Sequence, residues 1–360
     1  MSGGMNSKVW RLLDTGTRRA AENMALNRAL LTGRQQKLSP DTLRFLAFTP
    51  SALLGYHQSA EQELNLARCH DWNIAVQRRI TGGGAIYMDE GQLGWELYLD
   101  RQAAGSAEMS VVARRICEAA ARGLQALDIE AMYRPRNDIE VHGRKISGTG
   151  GAFDGDALMY QGTLLIDFDV ERMLSVLNIP AGKLTDKAIA SARDRVTSLS
   201  ALLSRVPERA SIVETLANAL SEEFGVTLEP GGLNTAETAL YEEALAEIDS
   251  QDWVNMVQKP AHDRPVVSVE HKFPAGMLRV NLAWDRQQDR IRQVWFSGDV
   301  FISPARTLVD LESCLRDTLV NDMPAKINEF FAERQVDMLG LQPDDIIGLL
   351  AMALKQENVA

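Results

Sequence analysis

Cysteine and histidine are too few and too scattered in this 360-residue chain to build a metal centre. Cys69, Cys117 and Cys314 share no short spacing, which excludes both a zinc-ribbon pattern and a disulfide framework. Two structural cysteines and one more exposed thiol is the plain reading of the three. The five histidines (His57, His70, His142, His262 and His271) include no pair three or four residues apart, so no helix presents two imidazoles to one metal. Nowhere do roughly 18 apolar residues run together, as a membrane-spanning helix requires. The opening Met-Ser-Gly-Gly-Met-Asn-Ser-Lys lacks the apolar core of a signal peptide, and a cytoplasmic, soluble protein without membrane contact is expected. Basic residues are also short: 38 against 49 acidic ones leave a net charge of −11, which argues against a nucleic-acid coat. An anionic ligand must therefore be held by a local cationic cluster. Neither a Gly-x-Gly-x-x-Gly nor a Gly-Lys-Ser/Thr phosphate loop occurs.

What is present suits a sizeable soluble core: 45% of residues are hydrophobic and 24% charged, and the length favours two units. Apolar spacing predicts helices over 20–31, 66–71, 109–127, 170–177 and 212–224 and an acidic helical stretch over 229–252. Strand-like runs lie at 8–14, 44–48, 52–56, 74–79, 85–88, 94–99, 138–141, 144–148 and 158–168. Several strands in succession, mixed with helices, indicate an α+β architecture and not a regular βαβ winding. Residues 260–265 read as a linker into a smaller unit of three strands followed by three helices, so the expected division is 1–258 and 259–360.

Three segments carry chemistry. In Arg78-Arg79-Ile80-Thr81-Gly82-Gly83-Gly84-Ala85, consecutive glycines after a strand let main-chain N–H groups approach a ligand that a Cβ would keep away. The two arginines add charge-assisted donors suited to phosphate or carboxylate, and Thr81 adds a hydroxyl. A flexible turn with solvated arginines would also explain these residues. In the second, Asn137 and Asp138 begin a strand, Gly143 makes a tight turn, and Arg144-Lys145-Ile146-Ser147-Gly148 runs back. If Ile146 points to the core, alternation sends Lys145 and Ser147 to the other face. There Lys145 can meet a carboxyl or phosphate oxygen whose negative charge grows during adenylation. Asn137 or Asp138 supplies oxygen ligands of the kind Mg²⁺ prefers. A surface hairpin with a solvated lysine is the plain alternative, against which the small residues of 148–151 stand. The third segment, from Lys183 to Leu199, alternates charges with small residues, as in a loop that orders over an anion. Lys187, Arg193 and Arg195 would face the anion, although a solvated helix face has the same composition.

Together these segments resemble the lipoate–protein ligase A family. The likeness rests on Arg-Arg-x-Thr-Gly-Gly-Gly-Ala at 78–85, Asn137-Asp138 with Gly143-Arg-Lys-Ile-Ser-Gly, Gly162-Thr163-Leu-Leu, and Arg193-x-Arg-Val-Thr-x-Leu, in that order. The resemblance implies a biotin/lipoate-ligase-like mixed sheet flanked by helices, with a smaller α+β accessory domain after it. It implies ATP and Mg²⁺ as co-substrates and a two-step reaction. Lipoate or octanoate becomes acyl-AMP, and a lysine of a lipoyl carrier domain then displaces AMP. The carriers expected are the E2 subunit of a 2-oxoacid dehydrogenase or the glycine cleavage H protein. Carried over by position, Lys145 is the catalytic residue. Arg78, Arg79, Thr81, Gly82, Gly83, Gly84, Ala85, Asn137, Asp138, Ser147, Gly148, Gly162, Thr163, Lys187 and Arg193 line the substrate and adenylate site, and Asn137 and Asp138 lie near Mg²⁺. One departure is visible: where many members have His-Asp after the glycine loop, this chain has Met88-Asp89.

Two rivals share these residues. An ATP-independent lipoyl or octanoyl transferase would need a reactive thiol beside the lysine, and no cysteine falls between Ala131 and Leu203. A non-catalytic lipoate-binding assembly factor would not need Lys145 and both arginines intact. Biotin ligases share the Gly-Arg-Lys-Ile hairpin but carry a glycine- and arginine-rich nucleotide loop that this chain lacks.

Overall fold

The computed structural model describes residues 8–106, 108–135, 137–178, 193–257 and 266–356. Lys187 and the expected linker at 260–265 lie outside these residues. Eleven strands build the larger unit: β1 (Lys8–Arg18), β2 (Thr42–Phe48), β3 (Ser51–Leu54), β4 (Ala75–Arg78), β5 (Ile86–Met88), β6 (Gln92–Asp100), β7 (Ala131–Arg134), β8 (Asp138–Val141), β9 (Arg144–Asp154), β10 (Ala157–Leu165) and β11 (Val226–Pro230). Eight form one mixed sheet in the order β11-β1-β2-β6-β10-β9-β8-β7, parallel from β11 to β2 and antiparallel from β2 onward. Strands β4, β3 and β5 make a small second sheet.

Alternation divides the large sheet into two faces. Leu43, Phe45, Trp95, Leu97, Leu158, Tyr160 and Leu164 point to one side, under the amphipathic helices Met109–Gln125 and Arg209–Phe224, and form the main core. The opposite face is covered only in part. The helix Ala20–Gln35 packs Met24, Ala25 and Leu30 on it over β1, β2 and β6, with the helix Thr235–Ile248 lying against that helix. That covered region also contains Arg44, fully buried. Arg44 donates to Glu96 (3.0 Å), Asn27 (2.7 Å), Asn23 (2.6 Å) and Thr15 (3.1 Å), so its charge is both paired and fully hydrogen-bonded. Among the described residues no helix covers the same face over β8, β9 and residues 161–163 of β10, where Gln161, Thr163, Gly148, Gly150 and Asp138 are all part-exposed.

The hairpin carrying the lysine forms as expected. His142 and Gly143 both have positive φ (49° and 76°), the two-residue turn whose twist matches antiparallel strands. Two expectations differ in detail. Residues 144–154 are one continuous strand, because Gly150 and Gly151 pair in register with Gln161 and Tyr160 of β10. Strands β7 and β11 were not anticipated, being short and, for β11, ending in a proline; each is held at a sheet edge by one neighbour. Beyond residue 265, β12 (Val266–Phe273), β13 (Gly276–Asp285) and β14 (Arg290–Gly298) form an antiparallel sheet. The helices Thr307–Leu315, Met323–Ala332 and Pro343–Lys355 pack on it around their own core of Leu278, Val280, Leu311, Ile327 and Leu349. Among the described residues no helix is long and apolar enough to cross a membrane.

Candidate active site

Lys145 sits on β9 at a β-bulge. The register shifts between Ile139 and Glu140 of β8, so that Glu140 faces Lys145 while Ile139 faces Ser147. Lys145 is thereby turned to the open face, where its Nζ lies 2.7 Å from Asp138 Oδ1. The bulge also corrects the expectation for Ser147. Instead of following Lys145, its side chain joins Ile139, Ile146 and Leu164 on the core face and is buried. Simple alternation fails here because one extra residue resets the period.

From Asp138 a row of directly paired residues crosses the sheet: Asp138 faces Gly148, Gly148 faces Thr163, Thr163 faces Gly94, and Gly94 faces Leu46. The middle of this row is small, so that face holds a trough floored by Gly148 and Thr163 and closed off at Gly94, which is buried beneath the Leu46 side chain. From Thr163 to Asp138 the floor spans two strand spacings, about 10 Å. One end is charged, at Asp138 and Lys145. The other is apolar, where Leu46 packs with Leu53, Met88 and Phe48. Gln161, beside Thr163, donates to Glu96 (2.7 Å), which ties the trough wall to the buried Arg44 cluster. Such a groove accepts a molecule with an aliphatic tail and an anionic head.

Gly162 lies on the wrong face for a contact with that groove. A Cβ there would meet the Trp95 ring at 2.0 Å, so the glycine is required for core packing, and its neighbour Thr163 is the residue presented to the trough.

The triple-glycine loop is held firmly. Arg78 is fully buried and donates to the carbonyls of Gly55, Tyr56, Gln58, Trp253 and Val254 at 2.6–3.1 Å. Its guanidinium clamps three chain segments together and has no donor directed at the trough, which corrects its assignment as a pocket-lining group. Arg79 donates to Leu53 O (3.0 Å), Gly82 O (3.0 Å) and Gly84 O (2.9 Å). Desolvation pushes both arginines down to about 10, leaving them protonated at neutral pH. Because trans peptides place C=O and the next N–H on opposite sides, the carbonyls of Gly82 and Gly84 that accept from Arg79 turn the N–H groups of Gly83 and Ala85 away from it, Gly83 being buried and Ala85 part-exposed. Gly55 and Gly83 approach so closely that a Cβ on Gly55 would lie 1.8 Å from Gly83 O. Thr81 accepts the Tyr56 N–H at its main-chain oxygen (2.9 Å). The C-terminal unit reaches this loop: Val300 and Phe301 lie against Gly82 and Gly83, and Gly298 N donates to His57 O (3.1 Å).

The third segment meets the lysine directly. Lys145 N donates to Arg195 O and Thr197 N to Lys145 O, both at 2.8 Å, a parallel bridge that pins Val196 beside Lys145. Arg193 is exposed and ion-paired with Glu171.

All three thiols are placed. Cys117 is fully buried under β9 and β10, with Sγ 3.3 Å from both Thr149 Oγ1 and Tyr160 OH, and burial pushes its thiol up. Cys69 is buried beneath the small sheet, and burial raises its thiol as well. Cys314 belongs to the C-terminal core. Neither Cys69 nor Cys117 has the low pKa and access that a nucleophilic thiol needs. Among the described residues no group of three or more His, Cys, Asp or Glu side chains is placed to hold a metal. Asn137 and Asp138 carry oxygens of the kind Mg²⁺ prefers, and one Asp138 oxygen is already paired with Lys145.

Residues 19–221 match the model of the lipoyl protein ligase A/B catalytic domain. This chain belongs to that family. Among relatives of the ligase/transferase, the octanoyltransferase LipM of Moorella thermoacetica is 26% identical over 285 residues, covering 69% of this chain and 99% of that protein. Lipoate–protein ligase 1 of Staphylococcus aureus is 28% identical over 267 residues, covering 74% of this chain and 77% of that one. Of solved structures, the bi-partite lipoate protein ligase studied with its E2 lipoyl domain from Thermoplasma acidophilum shares 25% identity with a TM-score of 0.60, over 72% of this chain and 99% of that chain. LipL1 of P. falciparum, in complex with lipoate, overlays 95% of this chain and 99% of its own at a TM-score of 0.75 and 18% identity, which speaks for a shared fold alone. The chain is thus an enzyme of the lipoate ligase/octanoyltransferase family, with the mixed α+β sheet expected of it.

Proposed function

We propose that this member is an ATP-dependent lipoate–protein ligase. It would activate lipoate or octanoate as the acyl-AMP and pass the acyl group to a lysine of a lipoyl domain. The observation that carries the reading is the pairing of an accessible Lys145 with the burial of Cys69 and Cys117. A transferase working through a thioester needs a thiolate at the reacting carbonyl. The one cysteine near β9 is sealed beneath the sheet with its thiol raised.

In this reading the aliphatic tail lies along Thr163 toward Leu46, and the carboxylate meets Lys145. In-line attack on the α-phosphorus of ATP expels pyrophosphate. Lys145 stabilises charge on the carboxyl and phosphoryl oxygens, which Asp138 keeps within reach by holding the ammonium. The N–H of the part-exposed Ala85 suits a phosphate oxygen. Asn137 and Asp138 face the Mg²⁺ of the nucleotide, and Arg193 with Lys187 would neutralise the remaining charge. In the second step the acceptor amine attacks the mixed anhydride and AMP leaves with the bonding electrons. The E2 lipoyl domain that accompanies the Thermoplasma ligase is the model for the acceptor, with the glycine cleavage H protein an equal candidate. Residues 1–258 would be the catalytic unit and 259–360 the accessory domain.

The octanoyltransferase reading has the names of several relatives in its favour. One experiment separates the two. The protein is incubated with ATP, Mg²⁺ and octanoate or lipoate, and acyl-AMP and pyrophosphate are measured. Adenylate formation, lost at least 100-fold in Lys145→Ala as expected for removal of one electrostatic stabiliser, supports the ligase. Transfer from an octanoylated carrier protein with no ATP requirement would overturn it.

A further inference from the structure

Thr149 lies on the core side of β9, and no part of the reading above uses it. It is 8% exposed and makes three bonds to Asn137, the residue that precedes Asp138. Thr149 N donates to Asn137 O (2.8 Å), Thr149 Oγ1 donates to the same oxygen (2.9 Å), and Thr149 O accepts from Asn137 Nδ2 (2.7 Å). Tyr160 OH lies 2.7 Å from Thr149 Oγ1, and Cys117 Sγ lies 3.3 Å from both hydroxyls.

Proton bookkeeping orders this cluster. A hydroxyl has one hydrogen, and Asn137 O can only accept, so the Thr149 proton is committed to it. Tyr160 must then donate to Thr149 Oγ1, and the Cys117 S–H completes the set. The chain of donors therefore runs outward from the core, Tyr160 to Thr149 to Asn137, and ends one residue before the carboxylate that holds Lys145 at 2.7 Å. With Nδ2 tied to Thr149 O, the Asn137 amide is held in one orientation.

We propose that Thr149 is a positioning residue for acyl transfer, setting the Asn137–Asp138 corner, and through Asp138 the Lys145 ammonium, from the buried side of the sheet. The inference rests on Lys145 and Asp138 being the acyl-transfer machinery. A site held through such a shell keeps sub-ångström geometry only while the shell is intact. Thr149 thus acts on rate, not on affinity.

The test uses the full-length protein with each acyl donor in turn, ATP plus octanoate and an octanoylated carrier protein, and a lipoyl-domain acceptor. Thr149→Val keeps the shape and removes the hydroxyl. It is expected to lower kcat at least tenfold with KM for the acyl donor changed less than threefold. Thr149→Ser, which restores the oxygen, is expected within threefold of wild type. Should the valine variant not fold, Thr149→Ala removes the same hydroxyl without adding a methyl beside Asn137 O, and the same kcat loss is expected. A hydroxyl-free variant that keeps kcat within threefold, or a serine variant that does not recover, overturns the positioning role. Wild-type protein that acylates no acceptor from either donor overturns the acyl-transfer reading itself.

Discussion

Gly148→Ala tests the site most sharply, because the structure says where the added methyl would go. A Cβ on Gly148 would stand 2.7 Å from both Cε and Nζ of Lys145. Comfortable contact between carbon atoms is about 3.5–4.0 Å, so the end of the lysine must move by about 1 Å. The obstacle is the tip of a flexible side chain, and Gly148 lies in regular strand without a positive φ, so the backbone tolerates alanine. Strand interiors also favour alanine over glycine by about 0.5–1 kcal/mol. Stability should therefore hold or rise slightly. Catalysis should not, since an ångström of misplacement at a reacting centre costs about 100-fold, or roughly 2.7 kcal/mol of transition-state stabilisation. The assay is acyl-adenylate formation followed by acceptor acylation, with thermal melting on the same preparation. A Tm within a few degrees of wild type and a kcat about 100-fold lower is expected. If kcat stays within threefold at an unchanged Tm, Lys145 is not the group on which rate depends.

Three further expectations follow from the same geometry. The variant lacking all thiols, Cys69→Ala with Cys117→Ala and Cys314→Ala, should retain ATP-dependent acylation within about an order of magnitude, losing only stability through small cavities; complete loss with normal folding would point to thioester chemistry. Arg78→Met should act on folding more than on binding. Five buried carbonyls lose their donor, which costs at least about 3 kcal/mol and about 10 °C in Tm, with KM for the acid little changed in the folded fraction. A large KM effect without a Tm effect would restore it to the ligand site.

The pH dependence of stability should hide two opposed slopes. Burial holds His57 at about 4, below its ordinary 6.5, so the unfolded chain binds the extra proton between those values and stability rises with pH there. Burial lifts Glu312 from 4.5 to about 7, so the folded chain binds the extra proton and stability falls as pH rises through that window. Each is worth about 3 kcal/mol in full, and between pH 4.5 and 6.5 they offset. Melting curves of Glu312→Gln should show a rising slope over that range, and those of His57→Asn a falling one. Parallel curves for the two variants would refute the assignment.

Much of the site could be read along the chain because its residues are local. The hairpin from Asn137 to Gly148 is one contiguous stretch whose His142-Gly143 turn and returning strand follow from short-range sterics. Lys145 reaches the open face as alternation says. The glycine run at 82–84 was recognisable as backbone in close quarters. Tertiary structure decided the rest. A bulge between Ile139 and Glu140 sent Ser147 into the core, something no period-2 pattern contains. Arg78 looked like a ligand for phosphate, yet its guanidinium is consumed by five carbonyls, two of them from residues 253 and 254, far along the chain. The trough itself was invisible, because Leu46, Gly94, Thr163, Gly148 and Asp138 come from five strands and adjoin only through pairing. Sequence determined which chemistry the chain carries, since charge, hydroxyl and glycine are properties of residues. Which of those groups remain free to use it was decided by hydrogen-bond partners that arrive only when distant segments meet.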